Sequence, residues 1–307
     1  MDGQPFPRQQ APTRVPRSLN SRRGEWRNCC AARSWDQYGR RIVPERLHIE
    51  EGPSDPLWRA FTLHASTGDA PAPIGTATAW VRPDGRCFVS FTGDAREPLL
   101  DAIVKRVGTV TLHATAPASD DEQLARYQRL GFAIERRERV YAIDVARACH
   151  VLSRASTPDG VTFVSPEEAD LDRLRVLDDT LRGDVPGTDG WKWTAEQFRD
   201  ETFGSQYDPD LYAVAVDAAT GDYVGIARVW NNPSRPRLGM IGVVRSHRRR
   251  GLARASMARV LAVLATRGTP EITTEVDVTN EASSSLMLSL GASVTGELME
   301  LAHPPGS

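Results

Sequence analysis

Apolar positions recur along this chain with two periods, and where each holds decides what a segment can become. Residues 1–40 follow neither; they are rich in Arg, Pro, Gln and Ser and predict a disordered extension. Alternation first shows at Ile42–Ile49. It returns as three strands over Leu57–Ala65, Pro73–Val81 and Cys87–Phe91, the last two joined by a turn at Pro83-Asp84-Gly85. A helix over Pro98–Val107, a strand over Thr109–Thr115, a helix over Asp121–Leu130 stopped by Gly131, and strand material over Phe132–Val145 complete a first unit, residues 41–148. Ala146–Gly160 ends in Ser-Thr-Pro-Asp-Gly and reads as a linker.

The second unit, residues 158–303, is more regular. A strand at Val161–Val164 precedes helices over Pro166–Leu181 and Thr194–Phe203. Strands follow at Leu211–Val216, Tyr223–Trp230 and Arg237–Val244. A helix over Arg250–Thr266 carries the stripe Met257, Val260, Leu261 and Leu264. A strand at Ile272–Val278, a helix at Glu281–Leu290 that Asn280 can cap, and a strand at Val294–Leu301 close the unit. This order predicts an α/β (α+β mixed) fold with helices on the faces of a mixed sheet. Leu130-Gly131 and Leu290-Gly291 each end a short helix after a strand, which points to two related units in tandem.

Composition narrows the function more than the fold. The 307 residues are 40 % apolar and 25 % charged, with a net charge of -2, so nothing favours nucleic acid or an anionic membrane as partner. No apolar run reaches the ~18–20 residues of a membrane span, and Met1–Gln10 lacks a signal-like apolar segment. Cys29, Cys30, Cys87 and Cys149 have neither metal-site nor framework spacing. Spare thiols in a cytoplasmic protein, with no metal, are the expectation.

Chemistry concentrates where the run Ile241-Gly-Val-Val244 stops and helical period begins, at Arg248-Arg-Arg-Gly-Leu-Ala253. Gly251 lets the backbone come close to a bulky anion, and the helix start offers unpaired N–H groups and positive dipole. The predicted pyrophosphate seat is Arg248, Arg249, Arg250, Gly251, Leu252, Ala253 and Arg254.

These residues resemble the acetyl-CoA loop, Q/R-x-x-G-x-G/A, of the general-control-related N-acetyltransferase (GNAT) family. Asn280, followed by a helix ending Leu290-Gly291, resembles the family's second signature. Residues 57–145 are similar to a degenerate second copy, so the whole resembles a tandem GNAT of the kind exemplified by mycothiol synthase. The resemblance implies two mostly antiparallel sheets flanked by helices and acetyl-CoA as acyl donor. It also implies direct acyl transfer to the primary amine of a small molecule, by a monomer or homodimer. Ile241, Gly242 and Val243 would pair with the pantetheine arm, and the Val243 N–H would meet the thioester oxygen. Asn280 would lie near that arm, or serve as a helix cap alone. The corresponding turn of the first half, Thr92–Pro98, has no such loop. There Asp94 and Glu97 stand where a phosphate would go and can satisfy the helix start, so no cofactor is expected in that half.

The acid and base are less legible. The family's tyrosine donor falls at Met287, and Tyr127 takes the equivalent place in the first half. Ser284, or its neighbours Ser283 and Ser285, is the remaining donor candidate, with protonation from solvent or product ammonium as the other route. Glu275 and Asp277 share one side of their strand and are candidate bases, with Glu196 on a helix. The family's use of the loop between its first two helices places the acceptor at Arg182–Trp193. Asp184, Asp189, Trp191 and Glu196 then suit a cationic amine, although tryptophans in such a loop also serve as packing lids. Two competing readings stay open: acetylation of a protein N-terminus or lysine, and a non-catalytic acyl-CoA-binding regulator.

Overall fold

Among the residues described by the structure, a computed structural model, the alternation becomes twelve strands and the helical periods seven α-helices. Those residues are 47–52, 54, 59–67, 72–188, 190–232 and 234–305; the extension expected over 1–40 lies outside them. The first half runs β1 (Leu47–Glu51), β2 (Ala60–Thr67), β3 (Gly75–Val81), β4 (Cys87–Gly93), α1 (Arg96–Val107), β5 (Leu112–Pro117), α2 (Asp121–Arg129) and β6 (Ala133–Asp144). Next comes α3 (Val145–Val151), inside the segment expected to be a linker. Asp144 caps it by accepting the Arg147 N–H at 2.7 Å, and Val145 and Ala148 are buried beneath it.

The second half runs β7 (Val161–Val164), α4 (Leu171–Arg182), α5 (Ala195–Thr202), β8 (Tyr212–Asp217), β9 (Tyr223–Trp230), β10 (Arg237–Val243), α6 (Leu252–Thr266), β11 (Glu271–Asp277), α7 (Glu281–Ser289) and β12 (Ser293–His303). Helix α4 starts at Leu171 rather than Pro166 because the Asp170 carboxylate takes the Arg173 N–H at 3.0 Å. Helices α2 and α7 match closely. Each has nine residues, an Asx cap (Asp120 and Asn280) bonded to a main-chain N–H, and a left-handed glycine beyond it (Gly131 at φ 86° and Gly291 at φ 77°). The repeat suspected from two dipeptides is therefore real at this level.

The strands form one sheet in the order β1-β2-β3-β4-β5-β12-β6-β11-β10-β9-β8-β7. Its centre is an exchange. β6, from the first half, pairs antiparallel with β11 of the second, while β12 pairs with β5 of the first; β6 and β12 then pair with each other. Neither half closes its own sheet, and the residues of β6 stand next to the second half's candidate site.

Residues paired in register share a face of the sheet. One face packs α6, α3 and α7 over Tyr141, Ile143, Val229, Leu238 and Ile272. That face continues under α1 in the first half, over Ala77, Val89, Phe91 and Leu112. The opposite face is covered in the second half by α4 and α5, packed on Tyr212, Val214 and Ile226. Among the described residues no helix continues this cover over the first half. It leaves a floor that runs from β9 across β6 and β12 to β4. No described helix is long and apolar enough to cross a membrane.

Candidate active site

Helix α6 begins with open chemistry. Its N-cap is Gly251, left-handed at φ 84°, and the helix has neither a side-chain cap nor an acidic residue in its first turn. No described atom lies within 4 Å of the place a Cβ on Gly251 would take. Two residues earlier, Arg249 is also left-handed at φ 65°, which turns successive N–H groups to one side. The orphan N–H groups of a 15-residue helix thus face a cavity of about 190 Å³ lined by Val243, His247, Arg248, Arg249, Gly251, Leu252, Ala253 and Arg254.

The arginines divide their labour differently from the expectation. Arg248 donates from Nε to the Val243 carbonyl at 2.8 Å and from its terminal nitrogen to Asp184. Arg254 turns to Ser289 Oγ at 3.1 Å, while Arg249 and Arg250 are exposed. Arg248 thus staples the loop to β10 and to the end of α4 instead of reaching for an anion. Asp184 is held by Arg245 at 2.8 Å and by Arg248, and these guanidiniums keep its carboxyl below the usual carboxylate range. It is already neutralised, and so poorly placed to recognise a cationic amine.

Beside this loop the sheet splits. β10 and β11 pair in parallel only at Arg237↔Thr273, and Thr274 Oγ donates to the Leu238 carbonyl at 3.0 Å, closing the base of the split. A bulge between Leu238 and Met240 follows. Val244 N donates to Val224 O, so the ladder to β9 takes the groups of Val244 and Gly242. Antiparallel alternation then turns those of Ile241 and Val243 into the split. Gly242 lets α4 sit close, since a Cβ there would meet Leu181 at 3.0 Å.

The carboxylates separate by role. Glu275 Oε2 accepts from Arg237 Nε at 2.6 Å, at the edge of the split. Asp277, on the same side, accepts the Thr279 N–H at 2.8 Å and the Thr279 hydroxyl, which makes it the organiser of the turn into α7. Asn280 accepts the Ser283 N–H at 3.0 Å and is a helix cap. One turn on, Ser284 is 9 % exposed and its Oγ has no hydrogen-bond partner among the described residues, while Met287 is fully buried in the core. Glu196 is exposed in the first turn of α5, and Asp189 lies outside the described residues.

The loop expected to meet the acceptor, Arg182–Trp193, supplies a side-chain cluster that sequence reasoning missed. Trp193 is buried and donates its indole N–H to Asp178 Oδ1 at 2.8 Å, as a packing lid would. Arg182 lies against both Trp191 and Trp193, 4.7 and 4.6 Å from their ring centres, and also donates to Asp178. Burial and the nearby Arg228 and Arg82 push the Arg182 pKa down to about 9. Arg136 on β6 reaches Pro186 O at 2.8 Å, Glu138 at 2.9 Å and Glu300 at 3.0 Å, tying the exchanged strands to this loop. These side chains come from β6, β9, β12 and α4, and no local motif joins them.

The first half differs at the matching places. β4 and β5 also pair in parallel only at Cys87↔Leu112 and Phe88↔His113, but β4 has no bulge. A Cβ on Gly93 would lie 2.2 Å from Ile74 O, so that turn is closed against β3. Contrary to expectation, neither Asp94 nor Glu97 caps α1; Glu97 only places charge in its first turn. Tyr127 is 2 % exposed and packs edge-on against Phe91 and Phe132. His113, Glu135 and Glu300 offer ligand atoms within 4.8 Å of one another, yet Arg86 binds Glu300 and lies 3.0 Å from His113 Nδ1. A guanidinium already neutralises the carboxylate a cation would need.

Residues 176–292 match the model of the acetyltransferase (GNAT) family. No curated protein matches the sequence. Among solved structures, a GCN5-related N-acetyltransferase from Sphaerobacter thermophilus is 21 % identical, with a TM-score of 0.61 over 80 % of this chain and 82 % of that one. A tandem GNAT protein from the clavulanic acid biosynthesis pathway is 19 % identical, with a TM-score of 0.62 over 83 % and 85 %. At these identities the likeness establishes the fold, a tandem GNAT.

Proposed function

We propose that the protein, whose residues 176–292 match the acetyltransferase (GNAT) family, is an acyltransferase that transfers an acetyl group from acetyl-CoA to the primary amine of a small molecule. One observation carries the reading: the uncapped start of α6, with Gly251 left-handed and open beside it, at the mouth of the split between β10 and β11. The N–H groups of α6 would hold the diphosphate, and the groups of Ile241 and Val243 would pair with the pantetheine arm. In a ternary complex the amine nitrogen attacks the thioester carbonyl carbon. The N–C bond forms, the C–S bond breaks, and a proton lost from nitrogen ends on sulfur. The Val243 N–H is the donor suited to the oxygen as it gains charge.

Proton movement falls to the groups left uncommitted. Arg237 engages only Oε2 of Glu275, which leaves Oε1 as the acceptor of the amine proton, directly or through water. The unpartnered Ser284 Oγ is the donor for the departing thiolate. Ser284→Ala should lower kcat roughly 10-fold or more with acetyl-CoA affinity unchanged; an unchanged kcat would return that proton to solvent. Cys87 and Cys149 are free, and burial pushes the Cys87 thiol up to about 11, which makes it a poor nucleophile. The test of the whole reading is calorimetry with acetyl-CoA, followed by thiol release with a panel of amines. Absence of binding would sink it, and binding without turnover on any amine would favour a regulatory role.

A further inference from the structure

Arg228, on β9, stands in register with Met240 at the β10 bulge and with Tyr212 on β8. It therefore lies on the floor beneath α4 and α5, one strand from the place where the thioester is expected. It is 6 % exposed and held between aromatic rings, 4.3 Å from the Trp230 centre and 5.6 Å from that of Tyr212. Neither its Nε nor its Nη1 meets a well-aligned hydrogen-bond partner among the described residues, although the neighbouring Tyr212 hydroxyl, also without a well-aligned partner, helps hold its charge. Its nearest carboxylate oxygen, Asp178 Oδ2, is 3.9 Å from Nη1, whereas Oδ1 of the same group is taken by Arg182 and Trp193. Arg182, half-buried, has an unpartnered Nε.

Two guanidiniums thus share one carboxylate in a site shielded by three indoles. Other charges approach without completing it. Arg82 and Asp84, at the β3–β4 turn, are 3.4 Å apart and compensate each other. Glu201, on α5, senses Arg228, Arg82 and Arg182, but no hydrogen bond or ion pair joins it to them, and burial raises its pKa. Unpaired donors of a buried guanidinium cost free energy unless an acceptor meets them. A carboxylate is a planar monoanion that can supply the acceptors which Arg228 Nε, Arg228 Nη1 and Arg182 Nε lack.

We propose that the acceptor is an amine carrying a carboxylate, an amino-acid-like zwitterion, whose carboxylate is seated by Arg228 and Arg182 while its amine faces the thioester at the bulge. This rests on the acetyl-transfer reading and replaces the expectation of a cation recognised by the aspartates of the loop. Arg228 and Arg182 set specificity and take no part in the bond changes.

The full chain is assayed for thiol release from acetyl-CoA with each standard amino acid and with its carboxamide. Wild-type protein should favour the carboxylate member of the best pair by about 10-fold or more in kcat/KM. Arg228→Gln should lower that preference roughly 10- to 100-fold, mostly through KM, and Arg228→Lys should restore part of it. Acetyl-CoA affinity, measured by calorimetry, should stay within about 2-fold in both variants. Indole emission should change when the wild-type protein is titrated with the N-acetyl product of the best acceptor, and not with that product's carboxamide. If Arg228→Gln fails to bind acetyl-CoA, the wild-type pairs and Arg182→Lys, with its expected smaller loss, decide the matter. Equal rates on carboxylate and carboxamide overturn this inference alone. No turnover on any amine overturns the acetyl-transfer reading, and this inference with it.

Discussion

Gly251 and Arg249 show what single backbone angles do here. Both lie in the left-handed region, and only Gly251 does so without steric cost. Gly251→Ala adds about 1–2 kcal/mol of strain at the N-cap. If the free loop relaxes that strain and binding must restore it, acetyl-CoA should bind roughly 5- to 30-fold more weakly, as calorimetry would show, with little change in thermal midpoint. His113 is the other residue with a measurable signature. Burial, and then Arg86, hold its pKa below the ordinary 6.5, with Glu135, Asp84 and Arg82 facing the same ring. Because Arg86 can only donate, Nδ1 accepts and the ring is neutral. The folded-state pKa is below the unfolded one, so stability is full above pH 6.5 and falls as pH drops through 6.5 toward the folded value. Urea midpoints should fall more between about pH 7.5 and about pH 5.5 in wild type than in His113→Gln. An identical fall in both would show that His113 does not titrate in this way.

At the scale of elements, helix starts differ in what they leave unsatisfied. α7 is capped by Asn280, α2 by Asp120 and α4 by Asp170, whereas α6 has no side-chain cap. A capped start has satisfied part of its N–H deficit, and an uncapped start above an open glycine has not. Asn280→Ala should therefore destabilise the fold by about 1 kcal/mol in urea titrations. It should leave acetyl-CoA affinity nearly unchanged; a large loss of affinity would restore Asn280 to the pantetheine site. The elements themselves were legible, because strand alternation and helical stripes survive packing. Boundaries slipped where a side-chain cap decided them, as at Asp170, and α3 was hidden in a segment whose later residues carry the turn chemistry.

At the scale of the molecule, the exchange of β6 and β12 joins the two halves into one sheet. Residues 158–303 alone would lack β6, so β11 would lose one neighbour, and β12 would lose both β5 and β6. That fragment should be unfolded, aggregated or reciprocally dimerised when expressed by itself. Light scattering and amide exchange would detect this, and co-expression with residues 47–152 should restore a single folded species. A monomeric, protected fragment would show instead that β12 can pair with β11 unaided. The exchange also places Arg136 against Pro186 in the loop between α4 and α5, so the first half reaches the second half's candidate site even though its own turn at Gly93 is closed.

The amino-acid sequence by itself determined the elements, their tandem order and the uncapped, glycine-led start of α6. Each depends on residues adjacent in the chain or one helical turn apart. Tertiary structure alone decided which strands are neighbours, that Asp184 is spent on Arg245 and Arg248, and that Arg228 lies buried beside Arg182 and Asp178. Those outcomes turn on contacts between distant segments, where burial and charge pairing depend on what the rest of the chain brings alongside.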